Sequence, residues 1–111
     1  MWLMTKYGFY SIVQKKPGEF HVRARVCGDL DVLKGAAGLE AEVTTSKSTD
    51  YRYRMVVDQA AVSKVMAVLG ESIDYSNFKS HIAATPAQRA ELHAYHDICE
   101  TMFRIQENKS K

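Results

Sequence analysis

Two strand-like segments each carry an Arg-x-Arg pair: Arg23 and Arg25 within Phe20 to Cys27, and Arg52 and Arg54 within Tyr51 to Val57. Side chains in a strand repeat every two residues, so each pair shares one face. In the first segment Phe20, Val22, Ala24 and Val26 occupy the opposite face. In the second, Tyr51, Tyr53, Met55 and Val57 do so. The more apolar face turns to a core, so all four arginines are expected to project from the other side of one sheet, with His21 beside them. Guanidinium groups crowded on one face repel unless anions sit between them, and their planar forks match phosphate oxygens two at a time. RRM-like domains hold single-stranded RNA on an open sheet face, stacking bases on exposed aromatic rings. Tyr51 and Tyr53 read as inward-facing, which leaves Tyr10 as the stacking candidate. The competing reading is that Glu19, Glu40 and Glu42 pair with these arginines across strands, giving an ordinary solvated surface.

Three other constellations carry chemistry-bearing residues. In the run His93-Ala94-Tyr95-His96-Asp97-Ile98-Cys99-Glu100, His93 with Asp97 and His96 with Glu100 are spaced i, i+4. Such pairs share a helix face and could grip a divalent metal, but the order is not the His-Glu-x-x-His of zinc proteases, and a solvated helix face explains it as well. Thr49-Asp50-Tyr51 and Asp74-Tyr75 could supply a carboxylate base and a phenol in a cleft; turn and cap preferences of Asp account for the same residues. Trp2, Phe9 and Tyr10 lie near the start of the sequence, where an aromatic strand edge could pair with its twin in a homodimer. No P-loop, dinucleotide fingerprint or nucleophile elbow occurs, so no catalytic residue, metal or cofactor is assigned.

The elements that must position these residues alternate in type. Trp2 to Thr5 and Phe9 to Lys15 read as strands, with Lys6-Tyr7-Gly8 either a tight turn or a glycine bulge. Pro17-Gly18 marks a turn before the strand Phe20 to Cys27. Gly28-Asp29 offers a turn and cap for a short helix carrying Leu30, Leu33, Ala36 and Ala37, closed by Gly38. Glu42 to Thr45 and Tyr51 to Val57 read as a hairpin around a polar loop. Asp58 caps a helix whose stripe is Val62, Val65, Met66, Leu69 and Ile73. Tyr75, Phe78 and Ile82 suit a short helix. Thr85 and Pro86 read as cap and first residue of a final helix with the stripe Leu92, Tyr95, Ile98, Cys99, Met102 and Ile105. The expected fold is α+β: an antiparallel sheet with helices on one face, a ferredoxin-like-related β-α-β-β-α core plus an N-terminal β-hairpin and a C-terminal helix.

With 111 residues, 46% of them hydrophobic, the chain suits one domain, residues 1–111, with a core that needs no staples. A net charge of only +2 makes any affinity for phosphate a matter of where charges sit. The two cysteines, Cys27 and Cys99, have no metal-type spacing and read as free thiols, fitting a cytoplasmic setting. No run approaches a membrane span, and the opening residues lack the basic start of a signal peptide.

The opening Met1-Trp2-Leu3-Met4-Thr5-Lys6-Tyr7-Gly8-Phe9-Tyr10-Ser11, with Thr49-Asp50-Tyr51 and Asp74-Tyr75-Ser76-Asn77-Phe78-Lys79, resembles a small family of bacterial hypothetical proteins. The resemblance implies a compact single domain of bacterial or phage origin and assigns no activity, cofactor or site residue. Three functions follow as expectations: foremost a non-enzymatic module holding a phosphate-bearing ligand or nucleic acid on the arginine face; next a homodimeric or inhibitory protein-interaction domain; and last a small enzyme using Asp50, Asp74 or the helical histidines.

Overall fold

A computed structural model describes residues 1–109 and divides into two compact units, Met1–Asp74 and a second beginning at Tyr75. The first unit holds β1 (Trp2–Thr5), β2 (Gly8–Lys16), β3 (Glu19–Ala24), α1 (Asp29–Ala37), β4 (Thr44–Thr45), β5 (Tyr53–Val57) and α2 (Gln59–Glu71). The strands form a five-stranded sheet in the order β1-β2-β3-β5-β4. Every neighbouring pair is antiparallel. The crossover through α1 therefore leaves a one-strand gap between β3 and β4, and β5 fills it. The class is α+β, as the alternation of patterns implied.

Tyr10, Ile12, Val22, Ala24 and Met55 form one face of the sheet, and they share a buried cluster with Leu30 and Leu33 of α1 and Val65 and Leu69 of α2. Both helices of this unit thus cover one face. Asp58 caps α2 as expected, its carboxylate accepting from the Ala61 amide at 2.9 Å. At α1 the cap position belongs to Gly28, which lies in the left-handed region (φ 90°), so Asp29 is the first helical residue and not the cap. The stripe on α2 is narrower than its period suggested: Met66 and Ile73 are exposed.

The β1–β2 connection is a tight turn, with Thr5 directly opposite Gly8. The Thr5 hydroxyl accepts from the amides of Tyr7 and Gly8 and donates to the Gly8 carbonyl at 2.9 Å. Gly8 sits at φ 151°, and a Cβ there would lie 2.4 Å from a carboxylate oxygen of Asp29. The backbone conformation requires glycine, and the Asp29 side chain would have to shift, so Gly8→Ala is expected to destabilise the unit by about 1–3 kcal/mol, measured by chemical denaturation.

The second unit contains α3 (Phe78–Ala83), a 3-10 turn (Arg89–Glu91) and α4 (Leu92–Lys109). Asn77 caps α3 by accepting from the Ser80 amide at 2.9 Å. Tyr75 stacks on His81, and Phe78 meets Tyr95 with ring centroids 5.2 Å apart. Phe78 and Ile82 lie on the expected short helix, Ile82 buried and Phe78 half-buried, whereas Tyr75, also half-buried, precedes it. The final helix does not open at Thr85–Pro86. The Thr85 hydroxyl folds back onto the His81 carbonyl at 2.8 Å, a short turn intervenes, and α4 begins at Leu92. Of its expected stripe only Tyr95 is buried; Ile98, Cys99, Met102 and Ile105 are exposed.

Candidate anion-binding sheet face

The strand register decides which side chains share the sheet face turned away from α1 and α2. Residues directly opposite one another in antiparallel strands point to the same side. Trp2 opposes Ser11, Ser11 opposes Arg23, Arg23 opposes Arg54, and Arg54 opposes Thr44. These five form one row across the sheet, facing away from α1 and α2. Val13, His21 and Val56 form a second row, and Met4 lies beside Phe9 in a third.

Three of the four expected arginines meet on this face. The Arg23 guanidinium donates to the Ser11 hydroxyl at 2.7 Å, and Ser11 is itself buried. Arg25 lies just past β3 and donates to the backbone carbonyl of Asp50 at 2.7 Å. Both guanidiniums stand over the ring of Tyr51, Arg25 at 4.0 Å and Arg23 at 4.5 Å from its centroid. Tyr51 is only 5% exposed and stands outside the helix-facing core cluster. The ring quadrupole attracts each of the two cations.

Arg54 completes the group through His21. Its guanidinium reaches His21 Nδ1 at 3.2 Å, and His21 Nε2 lies 3.3 Å from a carboxylate oxygen of Glu19. A guanidinium can only donate, so Nδ1 must be the bare acceptor and Nε2–H must donate to Glu19. The chain Arg54–His21–Glu19 thus ties the Arg54 side chain to its neighbours along the sheet.

The face is rich in donors and poor in acceptors. A guanidinium carries five N–H donors. Among the described residues, Arg23, Arg25 and Arg54 use them on one hydroxyl, one backbone carbonyl and one imidazole nitrogen, and no carboxylate lies within 4.0 Å of any of them. Arg23 Nε is enclosed without an acceptor. The cross-strand acids that would have neutralised the face do not do so: Glu19 engages His21 instead.

Two expected members are not there. Tyr10 is 0% exposed, packs beneath the helices, and donates its hydroxyl to the Asp29 carbonyl at 2.7 Å. It opposes Ala24, a core residue, so the register turns it away from the arginines and it cannot stack a ligand there. Arg52 lies in the bend before β5, where the two-residue repeat no longer applies. Its carbonyl accepts from Ser46 at 2.8 Å, and its guanidinium sits beside the Tyr53 phenol. That phenol is held above its ordinary pKa by hydrogen bonding to the Cys27 thiol, by burial and by the charge of Cys27, with Arg52 pulling the other way.

Aromatic residues do share the arginine face, but they are Trp2 and Phe9. Trp2 is 74% exposed and meets the half-buried Phe9 with ring centroids 6.2 Å apart. The tight turn at Lys6-Tyr7 was the signal for them, because it sets Trp2 opposite Ser11 and so on the same side as Arg23.

His93 Nε2 and Asp97 lie 3.5 Å apart on exposed helix surface, whereas Glu100 is taken by Arg104 at 2.6 Å and does not turn to His96. Among the described residues no group of three or more potential metal ligands forms. Asp74 pairs with Lys6 at 3.0 Å. Among the described residues no helix is long and apolar enough to cross a membrane. Comparison of the chain with family models, curated proteins and solved structures finds no match.

Proposed function

We propose that this chain is a non-enzymatic binding module that holds a phosphate-bearing ligand on the open sheet face through Arg23, Arg25 and Arg54. The observation that carries this reading is the set of three guanidiniums facing one way with donors to spare and no carboxylate partner among the described residues. A phosphate group supplies the acceptor oxygens and negative charge that the protein itself withholds. His21 orients Arg54. Nucleic acid is the ligand class that presents such groups in series, and the cytoplasm is the compartment where this module would meet it.

We also read β3-α1-β4-β5-α2 as related to the β-α-β-β-α part of a ferredoxin-like unit, with β2 of the N-terminal hairpin occupying the sheet position of the last strand. The sheet order supports that reading. It leaves one sheet face free of its helices, which is the face the ligand needs.

The test is binding of labelled single-stranded oligonucleotides across a salt series. Three phosphate contacts on a single strand give a slope of log K against log salt of about −2. Absence of binding at low salt overturns the proposal.

A second reading, a protein-interaction domain, draws on the exposed Ile98, Met102, Phe103 and Ile105 of α4. Such apolar exposure marks contact surfaces. Light scattering separates the two: a concentration-dependent dimer that binds no oligonucleotide favours interaction over ligand binding.

A further inference from the structure

We infer that the ligand of the sheet face is a single-stranded nucleic acid whose bases stack on Trp2 and Phe9 while its phosphates lie over Arg23, Arg25 and Arg54; this rests on the anion-binding reading above and deepens it. A simple phosphate or a nucleotide diphosphate group would need only the arginines. The face offers more than that. Trp2 and Arg23 stand in one row with a single residue, Ser11, between them. Strands lie about 4.8 Å apart, so two strand steps separate the two positions by about 10 Å, a span that the base and backbone of one nucleotide can bridge.

The two halves of the face differ in chemistry along that row. On β1 and β2 the open side carries Trp2, Met4, Phe9 and Val13, apolar and in part exposed. On β3 and β5 it carries the donor-rich arginines. A single strand has the same division: flat apolar faces on its bases, charge on its backbone. Duplex bases have their faces covered by their neighbours, so a duplex can use the arginines but not the rings. The indole is three-quarters exposed, so its face is accessible to a stacking base. Stacking on a ring tolerates any base, because every base has a flat face.

Trp2 is the only tryptophan in the chain, so its emission reports its own environment. The experiment titrates the full chain with oligouridylate, oligothymidylate, an abasic phosphodiester oligomer of equal length, and a duplex of equal length. The expected result is quenching of Trp2 emission by the two base-bearing single strands and none by the abasic oligomer. The abasic oligomer is expected to bind about 5- to 150-fold more weakly for each base stacked. Trp2→Ala is expected to weaken the base-bearing strands by about 5- to 150-fold, the loss of one stacked base, with Phe9 still in place, and its exposure makes a folding defect small. Tighter binding of uridylate or of thymidylate identifies RNA or DNA as the natural source, and either supports the inference. Equal affinity for abasic and base-bearing strands, or equal affinity for the duplex, overturns it and leaves the arginine site standing. Failure of every oligomer to bind removes both.

Discussion

Replacing Arg23 and Arg25 together by alanine is expected to weaken oligonucleotide binding at low salt by at least about a hundredfold. A charge-assisted hydrogen bond contributes about 1.5–3 kcal/mol, and two of them leave together. The slope of log K against log salt should also flatten by about 1.4, since two phosphate contacts are lost. The double variant has a structural side effect: Ser11 loses its donor and Tyr51 loses the two cations over its ring. Replacement by lysine separates the effects. Lysine keeps the charge but not the planar fork, so the salt slope should stay near its original value while affinity falls only part of the way. Circular dichroism of each variant establishes that the fold persists. Unchanged affinity in the alanine variant would remove Arg23 and Arg25 from the site.

Tyr10→Ala is expected to cost about 3–5 kcal/mol of stability, enough to unfold much of a small domain. The ring is fully buried among residues of β2, β3, α1 and α2, and its hydroxyl ties β2 to the first residue of α1. Tyr10→Phe keeps the ring and loses only the hydroxyl, leaving the Asp29 carbonyl short of a donor; a loss of about 1 kcal/mol follows. Denaturant titration measures both. Oligonucleotide affinity of the phenylalanine variant should match that of the unaltered chain, because Tyr10 belongs to the core and not to the ligand face. A selective loss of binding in Tyr10→Phe would contradict that placement.

The contrast between Tyr10 and Arg23 shows what a sequence can and cannot disclose about a strand. In β3 the two faces differ sharply: Val22 and Ala24 on one side, His21 and Arg23 on the other, so polarity alone orients it. In β2 both parities are largely apolar, Phe9 and Val13 around Ser11 against Tyr10 and Ile12, and hydropathy has little to choose between. Only pairing with β3 decides, and it places Tyr10 against Ala24. The misplacement of Arg52 has another cause. The alternation was extended two residues beyond the start of β5, into a bend where Tyr51 folds under Arg23 and Arg25. Tyr51 is buried as its apolar ring implied, but by guanidiniums and not by the core. On α4 the period identified a helix correctly yet not what its stripe meets, because periodicity records an apolar face without recording its neighbour. The α+β class, the cap at Asp58 and the short helix with its buried Ile82 were all legible, since each depends on spacing within a short segment.

The central claim is that Arg23, Arg25 and Arg54 form one anion site on the sheet face turned away from α1 and α2. The most direct test is a nitrogen-15 magnetic-resonance titration that follows the arginine Nε–H signals and the backbone amides as a short single-stranded oligonucleotide is added. Expected are saturable shifts at Arg23, Arg25 and Arg54 and in the amides of β3 and β5, with the signals of Arg89 and Arg104 unmoved. Shifts confined to Arg89, Arg104 or the lysines, with the three sheet arginines silent, would contradict it.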